Sequence, residues 1–302
     1  MLDELHLLPL PDAVLEGQTL AYRGLIYSVI EGYRPLKLDL YLPQSTGPFP
    51  LVVQIHGGAF RVGDRAFLPP ILADLDLFHW LPQQGFAVAA IDYRLSGEAL
   101  FPAQITDVAA ALRWLRAHSD ELALDPVRVA LWGESAGAHL ALMAGLTPGH
   151  PDWNGHADDQ RVQAIVDWYG PTDFSQMNAH RHQHGIQDHD DPGSPESQLI
   201  GGPVQERPEA VQLANPCRYA RPDAPPVLIQ HGTHDRLVPF GQSELLAGAL
   251  TEADADVQFV PVEEADHVFL NHPQPEVIVS TVMTFLQRHL RSSEDVRPGR
   301  AK

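Results

Sequence analysis

A serine flanked by glycines is the residue of this sequence best suited to covalent chemistry. Residues 133–137 read Gly-Glu-Ser-Ala-Gly, after the apolar run Val127–Trp132 and ahead of the Ala- and Leu-rich run Ala136–Gly145. A strand that turns sharply into a helix exposes the serine hydroxyl, and the free N–H groups of the helix face developing negative charge. The pattern G-x-S-x-G in this setting predicts that Ser135 is a nucleophile for acyl transfer.

A serine hydroxyl is a poor nucleophile at neutral pH unless a base within hydrogen-bond reach takes its proton. His267 is the best placed of the 16 histidines. It follows the apolar run Val257–Val262 and precedes the helical pattern that begins at Pro275. The chain order serine, acid, histidine requires the base in this loop, so we predict His267 as the base.

Three other histidines are alternatives for the base. His272 lies five residues after His267, next to a proline, and is the second choice. His139 falls in the buried helix predicted after the serine, where it suits a core or supporting role. His289 lies near the end of the last helix, remote from the strand ends.

Asp235 is the predicted acid that orients the base. It follows the apolar run Val227–Gln230 and lies between Ser135 and His267 in the chain. A carboxylate in this position holds the imidazole in the correct tautomer and stabilises its charged form.

Three other aspartates are weaker candidates for the acid. Asp173 follows the apolar run Val162–Trp168, and it suits the role of a turn residue that accepts hydrogen bonds from the backbone nearby. Asp266 adjoins His267 in sequence, where its carboxylate does not easily reach the ring. Asp92 ends a strand within Asp-Tyr-Arg, which is typical of a structural ion pair.

Acyl transfer places negative charge on the carbonyl oxygen, which must meet donors that are fixed in advance. One predicted donor is the N–H of Ala136, directly after the serine. The others are Gly57 and Gly58, in the His-Gly-Gly-Ala-Phe stretch that follows the apolar run Leu51–Ile55. Glycine lets the chain turn its N–H groups inward, and Ala59 is a further candidate.

Short apolar runs alternate with helical patterns and would position these residues. The strand candidates are Leu36–Leu42, Leu51–Ile55, Phe86–Ile91, Val127–Trp132, Val162–Trp168, Val227–Gln230 and Val257–Val262. Pro102 and Pro275 open the clearest amphipathic helices. Continuous apolar strands between helices predict an α/β fold with a doubly wound, mostly parallel sheet covered on both faces. Its ligand should bind beyond the carboxyl ends of the strands.

We predict a single domain over residues 1–290, with a lid insertion at about 174–216 and a disordered tail at 291–302. The insertion has weak periodicity and five prolines. It also holds a group of histidines followed by aspartates, namely His180, His182, His184 and His189. Such a set can bind Zn or Ni, but an exposed, mobile, polar lid segment is the interpretation we favour.

Composition excludes several classes of protein. The 302 residues are 44% hydrophobic and 20% charged, an ordinary globular balance. Lys plus Arg number 20 against 39 Asp plus Glu, and the net charge of −19 argues against nucleic acid and anionic membranes as partners. No apolar run reaches the ~20 residues of a membrane helix. The first residues lack the pattern of a signal peptide, so we expect a cytoplasmic protein, although a leader already removed would leave no trace.

At these residues the chain resembles the α/β-hydrolase esterases. More narrowly, it resembles the hormone-sensitive-lipase-type carboxylesterases and the bacterial acetyl and feruloyl esterases. The segments that carry the resemblance are 38–43, 56–60, 92–95, 133–140, 231–239 and 266–267. Ala59 stands where these esterases usually have a third glycine, and Ala138 where a further glycine is frequent. The resemblance implies a lid of variable size, no metal and no organic cofactor.

The sequence therefore predicts a serine carboxylesterase for small, uncharged esters with short acyl or aryl groups. Ser135, Asp235 and His267 would form the triad and work through an acyl-enzyme. We expect a small-molecule ester as the substrate, neither nucleic acid nor a membrane as a partner, and a monomer or a homodimer. An amidase, arylformamidase or peptidase-like hydrolase on the same fold is the alternative. A non-catalytic α/β-hydrolase that binds small molecules is the alternative from another class.

Overall fold

The computed structural model describes residues 9–151, 153, 161–270 and 272–291. Residues 1–8, which belong to the N-terminal segment on which the cytoplasmic expectation rests, lie outside these ranges, as do residues 292–302 of the predicted tail. One sheet organises the described chain. Its strands are β1 (Val14–Glu16), β2 (Thr19–Ser28), β3 (Leu36–Pro43), β4 (Phe49–Ile55), β5 (Ala87–Ile91), β6 (Leu124–Glu134), β7 (Ala164–Trp168), β8 (Val227–Gly232) and β9 (Val257–Val262).

Helices connect these strands. They are α1 (Pro70–Asp74), α2 (Leu77–Gln83), α3 (Ala103–Ala117), α4 (Ala136–Leu146), α5 (Pro195–Ile200), α6 (Pro208–Leu213), α7 (Gly241–Glu252) and α8 (Pro275–Leu290). The two proline-initiated helices predicted from the sequence correspond to α3 and α8. In α8, the proline occupies a first-turn position, where its missing N–H leaves no bond unmade.

The strand order across the sheet is β1-β2-β3-β5-β4-β6-β7-β8-β9. The pairs from β1 to β5 along this order are antiparallel. The pairs from β5 to β9 are parallel. The predicted doubly wound, mostly parallel α/β sheet is therefore confirmed. Its antiparallel edge was not predicted, although β2 carries the alternating burial of a half-covered strand.

Both faces of the sheet are buried. On β4, Leu51 and Val53 face one apolar core together with Ile105 of α3 and Leu140 of α4. Val52, the residue between them, faces a second core with residues of α2 and α8. Because successive strand residues point to opposite faces, a strand covered on both sides is apolar along most of its length, as β4 is apart from the buried Gln54.

The predicted insertion lies between β7 and β8. It contains α5, α6 and short 3-10 turns at Phe174–Gln176, Val204–Glu206 and Pro216–Tyr219. Because β7 and β8 are parallel, the segment leaves the sheet after Trp168, at the carboxyl ends of the parallel strands, and returns to the opposite edge at Val227. No helix in the described ranges has the length and the apolar character needed to cross a bilayer.

Three ion pairs fix the loop after β5. Asp92 lies 3.3 Å from Arg65 and 3.5 Å from Arg34, which agrees with the structural role expected for it. Arg94 bonds Asp107 of α3 through both Nε and Nη2, at distances down to 2.7 Å, and Asp107 is only 1% exposed. Burial raises the pKa of Asp107 above its usual value although the Arg94 guanidinium opposes this shift.

Breaking this buried pair from one side should destabilise the fold strongly. Asp107→Leu leaves the Arg94 charge without a partner, and we expect a loss of about 3–5 kcal/mol in the free energy of unfolding. The double variant Arg94→Met/Asp107→Leu removes both charges and should recover more than half of that loss. Urea denaturation measures both values, and a double variant no more stable than the single one would contradict this account.

Candidate active site

The nucleophile motif forms a sharp turn between β6 and α4. Ser135 has φ 53° and ψ −119°, a strained conformation that costs on the order of 1–3 kcal/mol. Its backbone N–H is held by the Trp168 carbonyl at 2.8 Å. Gly137 must lack a side chain, because a Cβ there would lie 1.9 Å from the Ile55 carbonyl oxygen. The first turn of α4 therefore lies directly against the end of β4.

The structure brings the predicted acid and base together. His267 Nδ1 lies 2.7 Å from Asp235 Oδ2. The other carboxylate oxygen of Asp235 accepts the N–H groups of Leu237 and Val238, both at 2.8 Å. The carboxyl is only 1% exposed. Burial alone would raise its pKa, but His267 and His231 outweigh it and hold the pKa well below the usual range.

His231 is a second histidine on the acid that the sequence analysis missed. Its Nε2 lies 3.2 Å from Asp235 Oδ2 and 3.0 Å from the Val238 carbonyl, and its Nδ1 lies 2.7 Å from Ser243 Oγ. An Nε2–H that faces Asp235 and the Val238 carbonyl, and a Ser243 hydroxyl that donates to Nδ1, satisfy all these contacts. His231 thus contacts the same carboxylate oxygen of Asp235 as His267 does. Its place four residues before Asp235, in the same motif, was the available signal.

The rival acids make other bonds. Asp266 binds the Arg236 side chain at 2.6 Å and accepts the backbone N–H of His267 at 2.8 Å, not its ring. Asp173 accepts the N–H of Ser175 at 3.0 Å, as a turn residue does. Neither carboxylate contacts the imidazole of His267.

The rival bases lie elsewhere. His139 is fully buried, its Nδ1 bonds the Pro171 carbonyl at 2.9 Å, and burial lowers its pKa to about 4. His272 accepts the N–H of Gln274 at 3.2 Å. His289 packs against Phe285 at the far end of α8. Among the described residues, His231 and His267 are the histidines bonded to Asp235.

A small cavity opens beside the serine. It has a volume of about 30 Å³ and is lined by Ala59, Phe60, Ser135, Ala136, Pro171, Gln187, His189, Pro195, Glu196, Leu237 and Val238. A water molecule needs roughly 10–15 Å³ by the same kind of measure, so a group of only a few atoms fits. The Ser135 hydroxyl makes no hydrogen bond within the described part of the chain. Contacts between serine and base commonly tighten only when substrate is bound.

The structure corrects one of the predicted oxyanion donors. The N–H of Gly57 donates to Glu134 Oε2 at 2.8 Å, so it is not available to an oxyanion. By contrast, the N–H groups of Gly58, Ala59 and Ala136 make no hydrogen bond to other described residues. Ala59 and Ala136 both line the cavity beside the serine. The geometry therefore favours Gly58, Ala59 and Ala136 as the donor set.

Glu134 is the buried carboxyl that holds the oxyanion loop, residues 56–60 after β4. Its Oε1 accepts the Gln54 side chain at 2.6 Å, while its Oε2 accepts the Gly57 N–H. Glu134 is 2% exposed, and burial raises its pKa to about 8 despite these two donors. Sequence reasoning treated Glu134 only as the variable position of the serine motif. Its position next to Ser135 was the only signal.

The described residues contain no group of three or more His, Cys, Asp or Glu side chains arranged to hold a metal ion. The predicted histidine-rich segment is also not uniformly exposed. His182 and His184 form a ring contact at 5.5 Å near the surface, whereas His189 is 2% exposed. The expectation of an exposed segment is therefore wrong for His189, because it packs against the cavity.

Glu134 should make turnover depend on pH. Below about pH 8 the carboxyl is protonated, and above it a buried negative charge forms against the oxyanion loop, so kcat should fall as pH rises through 8. Glu134→Gln keeps an acceptor for Gly57 but cannot ionise, and this decline should be absent. Glu134→Ala leaves the Gly57 N–H unpaired and should lower kcat about tenfold or more at all pH values.

Turnover of p-nitrophenyl acetate, corrected for spontaneous hydrolysis, measures these profiles between pH 6 and about 9.5. Circular dichroism checks that each variant stays folded over that range. Identical pH profiles for the wild type and Glu134→Gln would contradict the role given to this carboxyl.

Comparison with known proteins gives a family and related folds. Residues 38–250 match the model of the BD-FAE family. The probable carboxylic ester hydrolase LipM of Mycobacterium tuberculosis (strain ATCC 25618 / H37Rv) is 32% identical over 235 residues, which cover 75% of this chain and 50% of that protein. The chain spans about half the length of the curated relatives it matches.

Solved structures share the fold over most of the chain. A truncated form of a carbohydrate esterase from gut microbiota has a TM-score of 0.75 and 28% identity, and covers 92% of this chain and 100% of that chain. The native esterase Est2 of the Planctomycetes species Thermogutta terrifontis has a TM-score of 0.68 and 25% identity, and covers 87% of this chain and 90% of that chain.

Proposed function

Since the chain belongs to the BD-FAE family of α/β-hydrolases, we propose that it is a serine carboxylesterase for small, uncharged esters. The observation that carries the proposal is the 2.7 Å bond between His267 and the buried Asp235. That pair lies at the same sheet edge as the strained turn that presents Ser135. A nucleophile, an acid and a base, in this chain order, are the triad with which α/β-hydrolases carry out acyl transfer.

In the proposed reaction, Ser135 Oγ attacks the ester carbonyl carbon and His267 Nε2 takes the serine proton. The Asp235 carboxylate stays ionised and stabilises the imidazolium, which the depression of its pKa favours. The tetrahedral intermediate then collapses. Its carbon–oxygen bond to the alcohol breaks, and the alcohol leaves with the proton from His267.

Negative charge on the former carbonyl oxygen would be met by backbone donors. The N–H groups of Gly58, Ala59 and Ala136 are unpaired in the described chain and lie in or next to the wall of the cavity. Each such donor contributes roughly 3–4 kcal/mol to the transition state. In the second half of the cycle, His267 activates a water, which attacks the acyl-enzyme and releases the carboxylic acid.

The cavity supports short acyl groups. Its volume of about 30 Å³ admits an acetyl group, whereas a benzene-sized ring occupies an engineered cavity of roughly 150 Å³. Residues 174–216 would act as the lid over this space, since His189, Pro195 and Glu196 belong to its wall. We therefore propose acetyl to butyryl esters as the substrate range, with aromatic acyl groups such as ferulate disfavoured.

The names of similar proteins support an ester substrate. LipM is described as a probable carboxylic ester hydrolase and the gut microbiota protein as a carbohydrate esterase. A net charge of −19 would repel polyanionic esters such as acyl-CoA. Together these points favour neutral esters of alcohols or sugars over charged thioesters.

A panel of p-nitrophenyl esters from acetyl to decanoyl, with methyl ferulate, tests the proposal. We expect the highest kcat/KM at acetyl to butyryl and a fall of about a hundredfold by decanoyl, because longer chains do not fit the cavity.

Ser135→Ala is the control in the same assay, and it should remove at least about 99.9% of kcat while the melting temperature changes little. A variant that stays active would refute the assignment of the nucleophile. Wild-type protein that cleaves p-nitroanilides but no ester would support an amidase instead.

A further inference from the structure

Two ionisable side chains that the proposed reaction does not use line the cavity beside Ser135. His189 is 2% exposed and Glu196 is 3% exposed. Both belong to the cavity wall that also includes Ser135 and Ala136. Both come from the stretch between β7 and β8, whose composition suggests an exposed surface. A buried His and Glu beside a nucleophile therefore need an explanation of their own.

The two side chains touch without completing their hydrogen bonds. His189 Nδ1 lies 3.2 Å from Glu196 Oε1. Nevertheless, His189 Nδ1 and Glu196 Oε2 are buried and have no hydrogen-bond partner among the described residues. Native proteins leave few buried polar atoms unpaired, because the desolvation of such atoms is not compensated. A partner that arrives with the substrate would complete both.

The surrounding chain holds the pair in place. The backbone N–H of His189 is fixed by Asn178 Oδ1 at 3.0 Å. Arg61, next to the oxyanion loop, donates to the Gly193 carbonyl just before α5, the helix that carries Glu196. Bonds to other segments thus fix the positions of both side chains, as expected for a preorganised binding site.

We propose that Glu196 and His189 form a subsite for a hydroxyl group close to the scissile ester bond. The inference rests on the proposed esterase function and narrows it to hydroxylated esters. A hydroxyl can donate to Glu196 Oε2 and accept from the His189 ring, so it satisfies both groups. A methyl group would leave both unpaired, and an ammonium would offer donors only and would face the imidazole.

The test uses two pairs of esters of equal size. Methyl glycolate and methyl propionate differ by hydroxyl against methyl on the acyl part, and 2-hydroxyethyl acetate and propyl acetate differ in the same way on the alcohol part. Acid release in a pH-stat gives kcat/KM for each ester. The ratio within each pair is divided by the corresponding ratio for alkaline hydrolysis, which removes differences in intrinsic reactivity.

Wild-type protein should prefer the hydroxylated ester about tenfold or more in one of the pairs after this correction. The pair that shows the preference identifies the acyl or the alcohol part as the occupant. A corrected preference below about twofold in both pairs overturns the proposal, and this result needs no variant. Faster hydrolysis of methyl glycinate than of methyl glycolate also overturns it, because an ammonium would then be the favoured group.

Glu196→Gln keeps the shape of the side chain but loses the charge on the acceptor. It should reduce the corrected preference about tenfold, whereas Glu209→Gln, an exposed carboxyl on α6, should leave it unchanged. An equal loss on both members of each pair would mean a purely structural role and overturns the subsite. Absence of hydrolysis of every ester by the wild type would overturn the esterase function itself, so the two failures are distinguishable.

Discussion

The close approach of two backbones at the serine turn is the constraint on which the site depends. Gly137 lies so near the end of β4 that a Cβ would meet the Ile55 carbonyl at 1.9 Å. This contact seats the first turn of α4 against the strand that leads into the oxyanion loop. The nucleophile and the free N–H groups of that loop therefore share one small space. The strain at Ser135 is tolerated because the end of β6 before it and the helix α4 after it are buried.

Buried polar groups hold the parts of the site that the apolar core cannot position. Glu134 ties Gln54 of β4 and Gly57 of the oxyanion loop to the end of β6, and His231 contacts the same Asp235 oxygen as the base. A buried carboxyl is stable only when its oxygens meet donors, so each of these groups fixes a particular geometry. The two carboxyls differ in outcome. Burial dominates at Glu134 and raises its pKa, whereas two imidazoles dominate at Asp235 and lower its pKa.

Features of the fold and the site that leave a local pattern in the sequence could be predicted from it. Parallel strands are mostly apolar, and the sharp turn at Ser135 is indicated by the small residues on both sides of it, so the sheet and the proposed nucleophile could be predicted. Chain order led to His267, which does lie against the predicted acid. Gly57 could not be assigned correctly, because Glu134 captures its N–H across a distance of 77 residues in the chain. The burial of His189 was likewise hidden, since a polar composition does not reveal which side chain turns toward a cavity.

The central claim is that Ser135 is an activated nucleophile, and covalent labelling tests it most directly. Paraoxon transfers a diethylphosphoryl group to an activated serine and releases p-nitrophenol. Intact-mass spectrometry after incubation should show one such group per chain, and peptide mapping should locate it on Ser135. Ser135→Ala should remain unlabelled under the same conditions. A wild-type chain without an adduct, or with the adduct on another residue, would contradict the account.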